Sequence, residues 1–307
     1  MLAAFASCGE SSARTDAIGG SALTSDDTAL ATAAPVEVFD DAGRAVRLAR
    51  PARRIVSLVP AITETLVAMG AEDLLVARTD YDEGVVEYLP SVGGGLTPSL
   101  ELIASVEPDL VVVWEEAAGA RIRPRLEALG IPVFAAQTRD TADIFANIER
   151  LGALAGMQAS ADSLAAWVRS EFDAVRASVV GLRAPRVLYL VGVDPAMVAG
   201  PNLFVGEALS VAGAENVFPD VDEASPQMSV EEIVRRRPEI VLLPVSGPGD
   251  ASIAQLIATP GWAELYASGE TRFEALPADL LQRPGPGIAA AAWLLRDVTH
   301  PESAGRR

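Results

Sequence analysis

Histidine and cysteine, the residues that most often carry catalysis or hold a transition metal, occur once each in this chain, as His300 and Cys8. Histidine-cluster zinc sites, Ser-His-Asp triads, Cys-His nucleophile pairs and internal disulfides all need partners that single copies do not supply. Lysine is absent, since all 24 basic residues are arginine. Its absence removes the lysine-containing phosphate loop, Schiff-base chemistry and lysine general bases. What remains is recognition rather than bond-making. Trp114 ends the apolar run Leu110-Val-Val-Val-Trp114, at the carboxyl end of a predicted strand, where α/β sheets present side chains to ligands; the plainer alternative is a core tryptophan. Asp80, Asp82 and Glu83 form either a hard-cation site or a solvated acidic loop. Gly93–Gly95 reads as a place for close backbone approach, because no Lys-Ser/Thr follows it. Gly285-Pro-Gly-Ile-Ala-Ala290 spells a dinucleotide fingerprint, but Pro286 removes an amide that a phosphate would need. His300, beside Pro301, reads as exposed.

Glu101 and Glu231 are third in matching segments. Ser99-Leu-Glu-Leu-Ile-Ala-Ser-Val-Glu-Pro-Asp-Leu-Val-Val-Val113 aligns without gaps on Ser229-Val-Glu-Glu-Ile-Val-Arg-Arg-Arg-Pro-Glu-Ile-Val-Leu-Leu243. A second pair, Glu64–Leu75 and Glu207–Phe218, matches in the same order. Gly and Pro at helix ends account for part of the likeness. Two matching pairs in one order point to two copies of one lobe. With Ser99 and Ser229 as N-caps, each glutamate falls in the first turn of a helix, where the dipole favours negative charge.

The 307 residues, 50% hydrophobic and 21% charged, suffice for two compact domains. A formal charge of −18 excludes phosphate backbones and anionic membrane surfaces as partners. Val36 to Leu48 alternates apolar and polar residues around Asp-Ala-Gly, a hairpin signal. Strands are predicted at Ile55–Val59, Leu74–Ala77, Leu110–Trp114 and Val133–Ala135, then at Val187–Val191, Ile240–Leu243 and Arg272–Leu276. Helical patterns lie between them, the mark of α/β units with mainly parallel sheets. From Ser160 to Gly181 one pattern runs unbroken, with Leu164, Trp167, Val168, Phe172, Val175 and Val179 on one face and Ser160 and Gly181 as caps. At 1.5 Å per residue it makes a rod of roughly 30 Å. The fold expected is α/β: two similar lobes with mainly parallel sheets, joined by one long connecting helix, with a ligand cleft between them. The divisions are 36–156 for the first lobe, 157–183 for the helix, 184–300 for the second lobe and 301–307 for a tail. A continuous helix resists hinge bending, so closure on a ligand is expected to be small.

Met1-Leu-Ala-Ala-Phe-Ala-Ser-Cys8 looks like the tail of a bacterial lipoprotein signal, in which Cys8 is acylated. Residues 9–35 are rich in Gly, Ser, Thr, Ala and Asp, the composition of a flexible tether.

Arg54-Ile-Val-Ser-Leu-Val-Pro-Ala-Ile-Thr-Glu64, Leu89-Pro-Ser-Val-Gly-Gly-Gly95, Ser99-Leu-Glu-x-Ile with Pro108-Asp-Leu-Val, and Asp279-Leu-Leu-Gln-Arg-Pro-Gly-Pro286 together resemble the ABC-importer substrate-binding proteins for cobalamin, haem and ferric siderophores. The resemblance covers roughly residues 36–300. It implies two lobes bridged by a long helix, with the ligand between them. It makes Trp114 an aromatic wall of the ligand site and Tyr81 a ligand contact, with a surface tyrosine as the alternative. Gly93 and Gly94 fall at the cleft, and Asp279 and Arg283 become polar anchors, or else an exposed helix-start pair. Gly95 and Ser225 stand where cobalamin-binding members often carry tryptophan, which reduces stacking area against a planar ring. Permease arginines are expected to meet Glu101 and Glu231. The function expected is a non-catalytic, monomeric, lipid-anchored receptor of the periplasm or cell surface. It has no resident cofactor and delivers cobalamin or a related metal chelate to an ABC permease dimer. A haem or ferric-siderophore receptor is the alternative within the family, with Arg283 and Arg78 near the cleft. A two-lobed metallocluster oxidoreductase needs Cys or His ligands that the chain lacks after Cys8. A sensory lipoprotein without a permease would have no use for the paired glutamates.

Overall fold

The alternation from Val36 to Leu48 folds as expected, β1 (Val36–Phe39) pairing antiparallel with β2 (Ala45–Leu48). In the computed structural model the described residues are 34–303, apart from 83, 116 and 248–251; Cys8, the segment before it and nearly all of the 9–35 stretch lie outside them. At the turn, the Asp40 carboxylate accepts from the Arg44 amide at 2.9 Å and pairs with Arg123 on the first lobe. Both side chains are buried, Asp40 at 0% and Arg123 at 6% exposure, so this ion pair fastens the hairpin from inside.

The first lobe then runs β3 (Ile55–Ser57), α1 (Pro60–Ala68), β4 (Leu75–Ala77), the short hairpin β5 (Gly93–Gly94) and β6 (Thr97–Pro98), α2 (Leu100–Ser105), β7 (Leu110–Trp114), α3 (Ala117–Ala128) and β8 (Val133–Ala136). Its sheet has the order β4-β3-β7-β8, all parallel. β3 stops two residues before its expected end because Pro60 stands at the start of α1, where the missing amide costs nothing. Leu74 belongs to the 3-10 turn Glu72–Leu74 and not to β4.

Two helices follow, α4 (Thr141–Ala155) and α5 (Gln158–Ser178). Gly156, left-handed at φ 68°, ends α4 and reverses the chain within two residues. The reversal lets α5 begin at Gln158 with no side-chain cap, so Ser160 lies inside the helix and does not cap it. Leu164, Val168, Phe172 and Val175 are buried as expected. Trp167 is not: it sits at the edge of that stripe, 47% exposed, over a groove beside Met69 and Gly70.

The second lobe comprises β9 (Arg186–Val193), β10 (Ala196–Val198), α6 (Phe204–Val211), β11 (Glu215–Asn216), α7 (Val230–Arg236), β12 (Ile240–Val245), α8 (Ile253–Leu256), α9 (Trp262–Ala267), β13 (Arg272–Pro277), α10 (Ala278–Gln282) and α11 (Ile288–Thr299). β11, β9, β12 and β13 lie side by side and parallel. That order repeats β4-β3-β7-β8, while β10 adds an antiparallel strand to the later half of β9.

The backbone reproduces the sequence repeat in detail. Ser99 and Ser229 cap α2 and α7, accepting from the amides of Leu102 at 3.3 Å and Glu232 at 3.2 Å. Ile103 and Ile233 are both fully buried. Glu107 (φ 44°) and Arg237 (φ 49°) are the two left-handed non-glycine residues among the described residues, and each directly precedes the proline that opens a core strand.

One apolar core runs through both lobes. It joins Ile55, Leu110 and Phe134 of the first sheet to Val187, Ile240 and Leu242 of the second through α5 and α11. Two smaller cores cover the outer faces, one under Val56, Val111 and Val133, the other under Leu188, Val241 and Trp262. His300 closes α11 and is buried, at 2% exposure, its Nε2 3.3 Å from the Gly213 carbonyl oxygen. The exposed position expected beside Pro301 is therefore wrong: α11 packs against α6 and carries the ring onto the turn that ends α6. Among the described residues no helix is long and apolar enough to cross a membrane.

Candidate functional site

Beside the carboxyl ends of β3 and β7, residues of both lobes line an open cavity of about 270 Å³. The first lobe contributes the β3–α1 turn from Leu58 to Ala61, with Trp114, Tyr81, Gly95 and Leu96; the second contributes Gln282, Arg283 and Pro284. Three of the expected residues, Tyr81, Trp114 and Arg283, thus come together on one cavity. Gly93 and Gly94 do not line it, and Asp279 reaches it only through Arg283. A larger concavity of about 660 Å³ lies on the flank of α5 and α6, lined by Arg176, Glu207 and Glu215. The smaller one carries two aromatic rings, the usual lining of a ligand site.

Each wall has a local cause. Trp114 is half-buried at the last position of β7, one side of its ring packed on the central core. Tyr81 is 62% exposed, yet its backbone is held, its amide donating to Thr79 Oγ1 at 3.2 Å. Asp82 secures that loop in turn, accepting from the Thr79 amide at 2.7 Å and from Thr79 Oγ1 at 2.8 Å. Asp82 is therefore a buried structural residue; of the acidic trio, Asp80 is exposed and accepts from Ser91 Oγ at 2.5 Å, and Glu83 lies outside the described residues. No group of three or more metal-ligating side chains occurs among the described residues. A Cβ on Gly95 would come within 2.2 Å of the Leu58 carbonyl oxygen, so glycine is required by backbone approach and a tryptophan has no room there. Ser225 is not part of the cavity wall.

On the far side, the buried Tyr189 of β9 donates from its hydroxyl to the Leu281 carbonyl at 3.4 Å and steadies α10; burial pushes its phenol up, so it stays a donor. Arg283, just past α10, places Nη1 3.0 Å from Glu64 Oε1 and Nη2 3.2 Å from Asp279 Oδ1. Burial pushes the Glu64 carboxyl above the ordinary carboxylate range; the Arg283 hydrogen bond and charge pull it down, and the charges of Asp82 and Asp279 add to the rise. Arg78, expected near the cleft, folds back to donate to the carbonyls of Thr79 at 2.8 Å and Glu87 at 3.4 Å.

Glu101 and Glu231 occupy the second position of α2 and α7, both exposed, with no ion pair to either among the described residues. Their neighbours differ: Leu102 is an exposed apolar side chain, whereas Glu232 pairs with Arg235 and Arg236.

Residues 55–280 match the family described as periplasmic binding protein. The chain belongs to that family. The vitamin B12-binding protein of Vibrio vulnificus is 30% identical over 242 residues, 78% of this chain and 86% of its own length. The solved periplasmic vitamin B12 binding protein of Vibrio cholerae superposes with a TM-score of 0.65 at 25% identity, over 83% of this chain and 99% of its own. A periplasmic haem-binding protein from Pseudomonas aeruginosa superposes with a TM-score of 0.70 at 27% identity, over 81% and 93%. As a periplasmic binding protein the chain is a small-ligand receptor and not an enzyme.

Sequence reading missed Glu64, Leu96 and Gln282. Glu64 had a signal: it fills the same slot of the repeat as Glu207, whose carboxylate accepts from the Thr141 amide at 2.8 Å. Gln282 lay inside the Asp279–Pro286 motif without being singled out, and Leu96 had no signal, being an ordinary residue beside a glycine.

Proposed function

We propose that this periplasmic binding protein captures cobalamin or a closely related metal chelate between its lobes and delivers it to an ABC permease dimer. The observation that carries the proposal is the convergence of Tyr81 and Trp114 from one lobe and Arg283 from the other on a single cavity. Rings supply the stacking surface a flat chelate needs, and one polar group fixes its orientation. A cavity of about 270 Å³ lies just below the range for whole ligands, so the chelate seats one edge there and leaves the rest toward the cleft mouth. The vitamin B12-binding relatives support cobalamin, and the haem-binding neighbour supports haem as the second reading. Glu101 and Glu231 supply two negative posts in matching places of the duplicated lobes, suited to arginines on a two-fold partner. Cys8, once acylated, holds the protein at the membrane surface.

Titration of the purified protein with cobalamin, haemin and ferric chelates tests the ligand. Saturable binding of cobalamin above the others is the expected result, and binding of none of them rejects the proposal. For the anchor, Cys8→Ala in a chain with a complete leader should release the protein from the membrane fraction; retention rejects acylation at Cys8.

A further inference from the structure

Arg283 is the one charged side chain among the described residues lining the interlobe cavity. Its guanidinium is held from both sides of the cleft, by Glu64 of α1 at 3.0 Å and by Asp279 of α10 at 3.2 Å. Two carboxylates therefore surround one cation. A third, Asp82, is buried beneath the Tyr81 loop and near enough to act on Glu64. Arg78 is committed to backbone carbonyls.

An anionic chelate meets this arrangement badly. Its carboxylates must join Glu64 and Asp279 around a cation already balanced, or displace Glu64 and leave that half-buried carboxylate unpaired. A ligand with a neutral, amide-bearing rim meets neither cost. The repeat separates charge from architecture here. Glu207, in the slot of Glu64, ties the lobes through a backbone amide, so a tie at this slot needs only an acceptor. At position 64 the full charge faces the arginine of the cavity.

We infer that Glu64 is a specificity-determining residue of the cleft: by holding Arg283 across the lobes it withholds the cation of the cavity from anionic chelates and favours ligands with a neutral rim. The inference rests on the chelate-receptor reading and adds to it the residue that sets ligand charge.

The test titrates wild type, Glu64→Gln, Glu64→Asp and the double variant Glu64→Gln/Arg283→Gln with cyanocobalamin and with haemin, which carries two carboxylates. Glu64→Gln should shift preference toward haemin by about tenfold or more, the size of one additional charge-assisted hydrogen bond from Arg283 to the ligand. Glu64→Asp, one methylene shorter, should shift it the same way by less. The shift should shrink as salt rises and vanish in the double variant. An unchanged preference in Glu64→Gln, an equal loss for both ligands, or a shift that survives in the double variant overturns the inference and leaves the chelate reading standing. Binding of neither ligand by any variant overturns both.

Discussion

The two lobes share a strand order, a serine cap and a left-handed residue before a proline, yet they end their matching strands differently. Trp114 closes β7; the residue in its slot on β12 is Pro244. The backbone features are held in common and the cavity walls are not: one lobe brings aromatic surface, the other brings charge through Arg283. Their ion pairs diverge as well. The first lobe buries Asp40 with Arg123, while the second displays Arg236 between Asp220 and Glu232 at its surface.

The largest effect should come from that last contrast. Asp40→Ala leaves Arg123 buried without its partner and should cost about 3–5 kcal/mol of stability. Asp220→Ala removes an exposed, solvent-screened partner and should cost far less. Urea unfolding of the two variants measures both, and equal losses would erase the distinction. Docking asks instead whether the lobes are alike. Glu101→Arg and Glu231→Arg should each weaken permease binding about tenfold, and together on the order of a hundredfold, with ligand affinity intact. One post dominating would mean that exposed Leu102 or the Glu232–Arg235 pair matters more than the shared slot. Next in size, Trp114→Ala should weaken ligand binding about tenfold by loss of stacking, whereas Pro244→Ala should leave it within about twofold. A comparable loss in both would erase the difference between the two strand ends.

Smaller still, Glu107→Gly and Arg237→Gly should each raise stability by about 0.5–1 kcal/mol, because glycine accepts the left-handed conformation without penalty. Matched gains would confirm that both turns carry the same strain; a gain in only one would mark where the copies have diverged. The pH responses should have opposite signs. Hydrogen bonds from Arg236, and for Glu232 also from Arg235, hold Asp220 and Glu232 below the ordinary carboxylate range. Their stabilisation is present at neutral pH and fades as pH falls below about 4 toward their folded-state values. Glu64, raised by burial, does the reverse: its charged form costs stability at neutral pH, and the cost is relieved as pH falls through its raised value. Asp220→Asn should flatten the acid limb of the stability curve, and Glu64→Gln should remove the relief on acidification.

Much of this was legible in the chain. Buried parallel strands are continuous apolar runs, and Pro108 and Pro238 mark where two of them begin, so the sheets and their repeat could be read directly. Two-residue strands such as β5 and β11 have no period to detect. Trp114 was visible from the end of its strand, but Tyr81 and Arg283 entered through the motifs they share with a family. The pair between Glu64 and Arg283 spans 219 positions, and the contact of His300 with Gly213 spans 87. Nothing local encodes either, because both depend on how helices of different parts of the chain pack.

The core that crosses from Ile55 through α5 to Ile240 has a consequence for how the chain comes apart. One continuous set of buried side chains belongs to both lobes, so neither half can lose its structure without exposing the inner apolar face of the other to water. Heat or denaturant should therefore melt the two lobes as one cooperative unit and not one after the other.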